Sequence, residues 1–491
     1  MRPPFGSTSS WKLAIALLPV LAMPAGASVT ISSDATKNIT CSGGVCSPTK
    51  STAVLNVSDL ENLLASGSAT VTTTGTAEAN DIVVTAALAW SSSKVLTLTA
   101  HQSIAFYAAL SVAGKGGLTL NDAGTESLAF YNGANVTFSK LLSPLIINGN
   151  PYVLVGSVAG LASAANPNPT GNFALANSYD ASGDGTYSSA PVQNPGNWFT
   201  GVFEGLGNTI SNLTIVDGTQ SAACDGLIFT VGSPIISNFG MVNVSITSTG
   251  GQGANGAGGI VCDANSGGLV WRSYATGTIV MQGLDGAGGL AAGNIKIVQS
   301  WANVAISGTG GDTFGGLTTA GPDMVIQQSF SLGPLSCSGQ DCQIGGLSLS
   351  SGAQISDSYS VSSVTDSSMA DGDDATLGGL LSNNGGGAIA RSYAAGTITS
   401  PSSGGCGVNT NCVGGLYGID NANINANVYW DKSTTGVNVA AGNEGKDPGT
   451  KGLSNNKLTA KLPKGFDKKI WAQNPLINNG LPYLIANPPP E

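Results

Sequence analysis

Charge is scarce in this chain. Only 9% of its 491 residues are Asp, Glu, Lys or Arg, against about 25% in an average globular protein. The 18 basic residues are outnumbered by 28 acidic ones, for a net charge of -10, which excludes an electrostatic footprint for nucleic acid. There is one histidine, His101, so a zinc site or a histidine-based relay has almost nothing to draw on. Runs of Leu, Glu and Lys are nearly absent, which removes helical repeats. Beyond the N-terminal segment no stretch is apolar for 18 residues, so no further transmembrane helix is expected. Low charge with 6% aromatic residues fits disorder by composition, but the apolar positions recur too regularly for that.

What the chain has is glycine, 70 residues of it, and a repeat. Gly258-Gly259-Ile260, Gly288-Gly289-Leu290, Gly315-Gly316-Leu317, Gly345-Gly346-Leu347, Gly378-Gly379-Leu380 and Gly414-Gly415-Leu416 recur, with Asp225-Gly226-Leu227 as a degenerate first copy. Each is followed by a small polar residue and an aromatic: Phe239, Tyr274, Trp301, Phe330, Tyr359, Tyr393 and Tyr429. Self-similarity with a spacing of 27 to 36 residues marks a solenoid. Ile or Val stands four residues before most of these aromatics and an aliphatic five residues after. The even offset places two side chains on one strand face, and the odd one calls for a bend or bulge, at Gly277, Gly333 or Gly396. Stacked turns then set equivalent residues about 4.8 Å apart. The seven aromatics are expected as one ladder inside the coil, with the Gly-Gly steps as corners where only a missing Cβ fits.

Arg2 and Lys12 precede an apolar run over residues 13–23 and the small-residue site Ala25-Gly26-Ala27, so residues 1–27 read as a secretion signal. The eight cysteines agree with export. Cys41 and Cys46, Cys337 and Cys342, and Cys406 and Cys412 form local pairs across polar loops, as disulfides do. For Cys224 and Cys262, near the starts of adjacent repeats, a bridge between rungs stays open.

Residues 28–80 read as an N-terminal capping region with a short helix near residues 58–65. Residues 81–220 read as irregular β-helix turns interrupted by a loop excursion at residues 162–197, rich in Asn, Pro, Ser and Gly. The repeats occupy residues 221–436. Residues 437–491 form a C-terminal cap and tail, where Lys457, Lys461, Lys464, Lys468 and Lys469 supply the polar outer face that prevents end-to-end stacking.

The run Phe203-Glu204-Gly205-Leu206-Gly207-Asn208-Thr209-Ile210, the Gly-Gly-Leu steps and the end Tyr429-Trp430-Asp431-Lys432 resemble the GLUG-repeat proteins. These occur in filamentous-haemagglutinin-like bacterial surface proteins and beside IgA peptidase domains. Residues 96–120 are similar to the haemagglutinin-type turns that precede such repeats. The resemblance covers residues 80–485 and implies an all-β, right-handed single-stranded parallel β-helix on an exported bacterial protein. No His-Glu-x-x-His occurs, so the resemblance carries no peptidase motif over, and no C-terminal membrane barrel is expected.

Candidates for chemistry are few. Asp180, Ser182 and Asp184 place oxygen atoms at alternate positions before Gly185, as a calcium loop does, but Pro191 stands where its bidentate Glu belongs. Asp285 and Asp312 each precede a Gly-Gly step by three residues and are expected one rung apart on the outer surface, where paired carboxylates serve polysaccharide hydrolysis or a cation. Asp371, Asp373 and Asp374 form a solvated acidic loop, and His101 sits at a strand corner without a nucleophile elbow. The expectation is therefore an exported, secreted or cell-surface, adhesin-like protein without catalytic residues or cofactor, calcium aside. Its partner would be a surface glycan or protein. A polysaccharide hydrolase or lyase is the first alternative and a non-catalytic module beside a peptidase the second. A groove gathering three or more carboxylates with an Arg or Lys would favour the enzyme.

Overall fold

The computed structural model describes residues 26–490 apart from 125–126, 195, 197, 219–223, 231, 249–255, 264–266, 283–285, 310–311, 320, 322–323, 350–351, 369–373, 402–405, 407–410, 423–424 and 444–446. Short strands of alternating burial, broken by polar corners, wind into a parallel β-helix. In one turn the chain runs through Gly256–Gly258, Val261–Asp263, Gly268–Trp271 and Tyr274–Met281. The next turn lays Gly286–Gly288, Ala291–Ala292, Ile295–Val298 and Trp301–Gly308 beside them, parallel and in register. Equivalent residues therefore stack: Ile260, Leu290, Leu317, Leu347, Leu380 and Leu416 line one wall of the core, and Val270, Ile297, Ile326, Ile355 and Ile389 another. Each buried aliphatic is worth roughly 1.5–3 kcal/mol, and every turn adds a similar set.

The Gly-Gly corners are close-packed. A Cβ on Gly288 would stand 1.9 Å from the Ala291 carbonyl oxygen, and one on Gly289 would stand 2.2 Å from that of Gly316 in the next turn. The serine before each of the five aromatics from Tyr274 to Tyr393 seals the opposite corner. Ser273 N–H donates to Ser300 Oγ (3.1 Å), Ser300 N–H to Ser329 Oγ (3.1 Å) and Ser329 N–H to Ser358 Oγ (3.2 Å), while each of these hydroxyls donates to the carbonyl two residues back.

Six of the seven aromatics lie outside the coil; Phe239 alone is inside. Tyr274 and Ile279 occupy one extended strand that keeps its register from Tyr274 to Met281, so a five-residue offset puts them on opposite faces. Ile279 and Ala275 fill the core and Tyr274 points outward. No bulge at Gly277 is needed; the bulge in this sheet lies in the preceding rung, between Met241 and Val244. The corner that reverses the faces sits two residues before each ring, where Arg272, Gln299, Gln328, Asp357, Arg391 and Asn427 all have φ between 45 and 58°. Asn238 (φ 50°) is their counterpart in the first rung. Phe239 therefore aligns with Ser273, and Gly240, not Phe239, pairs with Tyr274. Phe239 packs in the core against Phe203, with ring centroids 5.1 Å apart.

The N-terminal region is itself coiled rather than a separate cap: Ser28–Ser32 pairs with both Thr52–Asn56 and Asp81–Val84. The helix Val57–Ser66, capped by Asn56 accepting from Ser58 N–H, buries Leu60 and Leu64 against it. Residues 162–197 are not a loop excursion. Asn172–Leu175 is a strand of the 15-stranded sheet, and the helix Val158–Ala165 and the pairing of Thr186–Tyr187 build further turns. At Asn148 and Gly149 the chain reverses, and Asn150–Val155 pairs antiparallel to Leu145–Ile147. The core changes sides there: Leu145, Ile147 and Leu154 face the first coil's interior, whereas Val155, Phe173 and Leu175 face the second's. Reversing the strands while moving the core across the sheet leaves the hand of winding unchanged. The two coils are thus offset on opposite faces of one sheet, with a cleft where they meet.

Candidate binding groove

Because the rings stack on the outside, what covers them decides what they do. Tyr274, Trp301, Phe330, Tyr359 and Tyr393 form a file with centroids 4.7, 5.8, 4.7 and 5.0 Å apart and interplanar angles of at most 7°. After its last turn the chain doubles back and lays Phe466, Trp471, Leu481 and Leu484 over Phe330, Tyr359, Tyr393 and Tyr429 as a separate apolar cluster. Hydrogen bonds fix this strap: Tyr393 Oη donates to the Pro482 carbonyl (2.7 Å), Tyr429 Oη to that of Lys464 (2.9 Å), and Trp471 Nε1 to Asp357 Oδ1 (3.1 Å). Asp357, almost wholly buried, also accepts from Arg391 Nε (2.9 Å) and Nη2 (2.7 Å). That partner raises the Arg391 pKa. Lys457, Lys461, Lys464, Lys468 and Lys469 are all exposed, and the first three, with Lys451, border an open depression beside Tyr429.

Trp301 and Tyr274, at the other end of the file, stay half-buried, with Trp301 packed on the edge of that cluster. They form one wall of a cavity of ≈ 380 Å³ closed by Phe130 and Tyr131 of the first coil and by Asn487 and Pro488 of the tail. Its corner residues are unlike those under the strap. Arg272 lies over the rings of Tyr131 (5.0 Å) and Trp271 (5.2 Å) and its buried Nε has no hydrogen-bond partner. Asn238 Oδ1, Gln299 Oε1 and Asn487 Nδ2, which line the same cavity, are also buried without partners. The amide nitrogens of the first two are used, by Glu204 Oε2 (3.1 Å) and Gln328 Oε1 (3.2 Å).

On the other side of the same corner a cavity of ≈ 330 Å³ opens in the cleft between the coils, lined by Asp122, Tyr152, Glu204 and Trp271. Burial raises Glu204 to about 7, although Ser237 Oγ, Leu206 N–H and Asn238 Nδ2 all donate to it. Burial, then the Glu204 and Asp122 carboxylates, push the Tyr152 pKa upward. This cavity holds two carboxylates and the groove holds Arg272 and none, short of the three that would favour an enzyme.

The residues singled out in the sequence fall elsewhere. Asp180 accepts from Ser182 N–H (3.0 Å) and Asn212 Nδ2 (2.8 Å), whose hydrogen bond leads the lowering of its pKa. Asp184 is taken by the hydroxyls of Tyr179 and Tyr187. Asp180 and Asp184 thus serve separate partners, and no group of three or more His, Cys, Asp or Glu suited to a metal occurs among the described residues. Asp312 is buried, not on the outer surface, and its carboxylate fills the space above Gly308. Asp285, Asp371 and Asp373 lie outside the described residues, as do residues 1–25 of the expected signal; Ser28 opens the first strand. His101 is exposed at a corner, its N–H donating to Thr73 Oγ1 (2.9 Å). All three local cysteine pairs are bridged, and Cys224 is joined to Cys262 across neighbouring rungs. No helix among the described residues is long and apolar enough to cross a membrane. The sequence signal of the groove is a polar residue two positions before each ring, and it is obscured in the first copy because Phe239 stands one position out of register with Tyr274.

No protein-family model matches the chain, and no curated protein matches it. Among solved structures it is similar to one titled IgA1 Protease, at 18% identity and a TM-score of 0.38, over 58% of this chain. The match spans 21% of that protein's length.

Proposed function

We propose that this chain is an exported, non-catalytic β-helix protein that binds a surface glycan in the groove beside Tyr274 and Trp301. The observation that carries the reading is the groove itself. Buried polar atoms are almost always paired in a folded protein, and a concave site with aromatic walls and a few convergent unpaired polar groups is the usual form of a ligand pocket. The four disulfides and the sparse charge suit a protein working outside the cell. The GLUG-type resemblance adds a surface role. A second reading, a polysaccharide hydrolase, is favoured by Glu204, whose carboxyl burial raises to about 7, the direction a general acid needs. Glu204 is only 4% exposed and is engaged by three donors, which argues for a structural part. A glycan array on the purified protein, run with an assay for new reducing ends, separates the two. Retention of a glycan without release of reducing ends is expected; release that disappears in Glu204→Gln would replace the binding reading with the hydrolase.

A further inference from the structure

We infer that the groove recognises an acidic sugar, a pyranose bearing a carboxylate, with Arg272 as the group that selects the charge. The inference rests on the glycan-binding reading and narrows it to a ligand class. In a chain of net charge -10, Arg272 has no salt-bridge partner among the described residues and its Nε is buried and unpaired. Its guanidinium carbon lies over the rings of Tyr131 (5.0 Å) and Trp271 (5.2 Å), and none of the described residues lining the groove is acidic. A guanidinium Nε buried without an acceptor is costly, and a carboxylate satisfies it with charge-assisted, fork-like geometry. The other unpartnered atoms are a donor, Asn487 Nδ2, and two acceptors, Asn238 Oδ1 and Gln299 Oε1. Sugar hydroxyls donate and accept, so a pyranose answers both; its apolar C–H face suits the ring of Tyr274. The groove volume lies within the range of small-ligand sites. Repulsion from the protein's net charge is screened beyond about 8 Å at physiological ionic strength.

The same position in the neighbouring turns shows which change to make. Gln299 and Gln328 hold the same left-handed corner at φ 49 and 48°, so Arg272→Gln keeps the backbone while removing the charge and the guanidinium's contacts with Tyr131 and Trp271. The test is titration calorimetry of the full-length secreted protein with uronate and sialylated oligosaccharides, each against its neutral methyl ester, alongside the array. Acidic ligands should bind, and both esterification and Arg272→Gln should weaken them roughly 10- to 100-fold. Equal binding of acid and ester, or an unchanged affinity in Arg272→Gln, would overturn the acidic-sugar inference while leaving the glycan-binding reading in place. Absence of binding to every glycan on the array would overturn both.

Discussion

The two halves of the outer aromatic file have the same backbone, the same stacking and the same repeat, yet they end in opposite states. From Phe330 to Tyr429 the rings are buried under Phe466, Trp471 and Leu484, and the corner residues are spent on one another, Asp357 on Arg391 and on Trp471. From Tyr274 to Trp301 the rings are half-exposed and the corner residues Asn238, Arg272 and Gln299 keep unpartnered buried atoms. A β-helix turn presents its outer side chains with a regularity that serves a structural seam and a binding surface equally well. The difference comes from a distant stretch of chain, which buries the rings of one half and bonds Asp357, Tyr393 and Tyr429 there, although Tyr359 Oη stays unpartnered, and which only edges the other half with Asn487 and Pro488.

The largest effect should come from breaking the covered half. Trp471→Ala removes a fully buried ring and the N–H that Asp357 accepts, at an expected cost of about 3–5 kcal/mol. A loss below 1 kcal/mol in urea unfolding would mean that the strap does not hold the seam. The next effect is a dependence on pH at the border of the open half. Glu204 has a folded pKa of about 7 against 4.5 when unfolded, so the folded state holds a proton that the unfolded state releases between these values. Its contribution is present below pH 4.5 and is lost as pH rises through 7, a fall of roughly 3 kcal/mol. Asp225, raised to about 6 by burial, slopes the same way. Unfolding midpoints should therefore be lower at pH 8 than at pH 5, and Glu204→Gln should flatten much of the difference.

Smaller effects sharpen the contrast. Trp301→Ala takes away a half-exposed ring stacked on two neighbours and should cost about 1–3 kcal/mol, each stacking contact accounting for about 0.5–1.5. A cost matching that of Trp471→Ala would place the ring in the covered set. Arg272→Gln should change stability by no more than about 0.5 kcal/mol, since Gln already stands at the equivalent corners; a larger loss would make Arg272 a structural residue.

Much of the fold was legible because a solenoid repeats its physics at every turn. The Gly-Gly-Leu steps located the tight corners, the aliphatics the core, and the local cysteine pairs the bridges; the helix at Val57–Ser66 and the strands Asp81–Val84 and Val95–Thr99 stood where the residue pattern put them. The outward turn of the aromatics was legible in principle from the odd spacing between Tyr274 and Ile279, which means opposite faces unless a bulge intervenes. The corners were harder to see, because Arg272, Gln299 and Gln328 adopt a left-handed conformation that is ordinarily signalled by Gly or Asn. The reversal at Asn148-Gly149 (φ 49 and 77°) is a two-residue Asn-Gly hairpin turn and has a local signal, whereas the strap and the strand within residues 162–197 depend on contacts between stretches far apart in the chain. Local spacing does not encode these.

The most direct test of the account is hydroxyl-radical footprinting of the native protein with and without a uronate oligosaccharide, read residue by residue. Tyr274 and Trp301 should be modified readily in the free protein and become protected with the ligand, while Tyr359, Tyr393 and Trp471 remain unmodified throughout. Equal modification along the whole file, or labelling of Tyr274 and Trp301 unchanged by a saturating bound glycan, would contradict it.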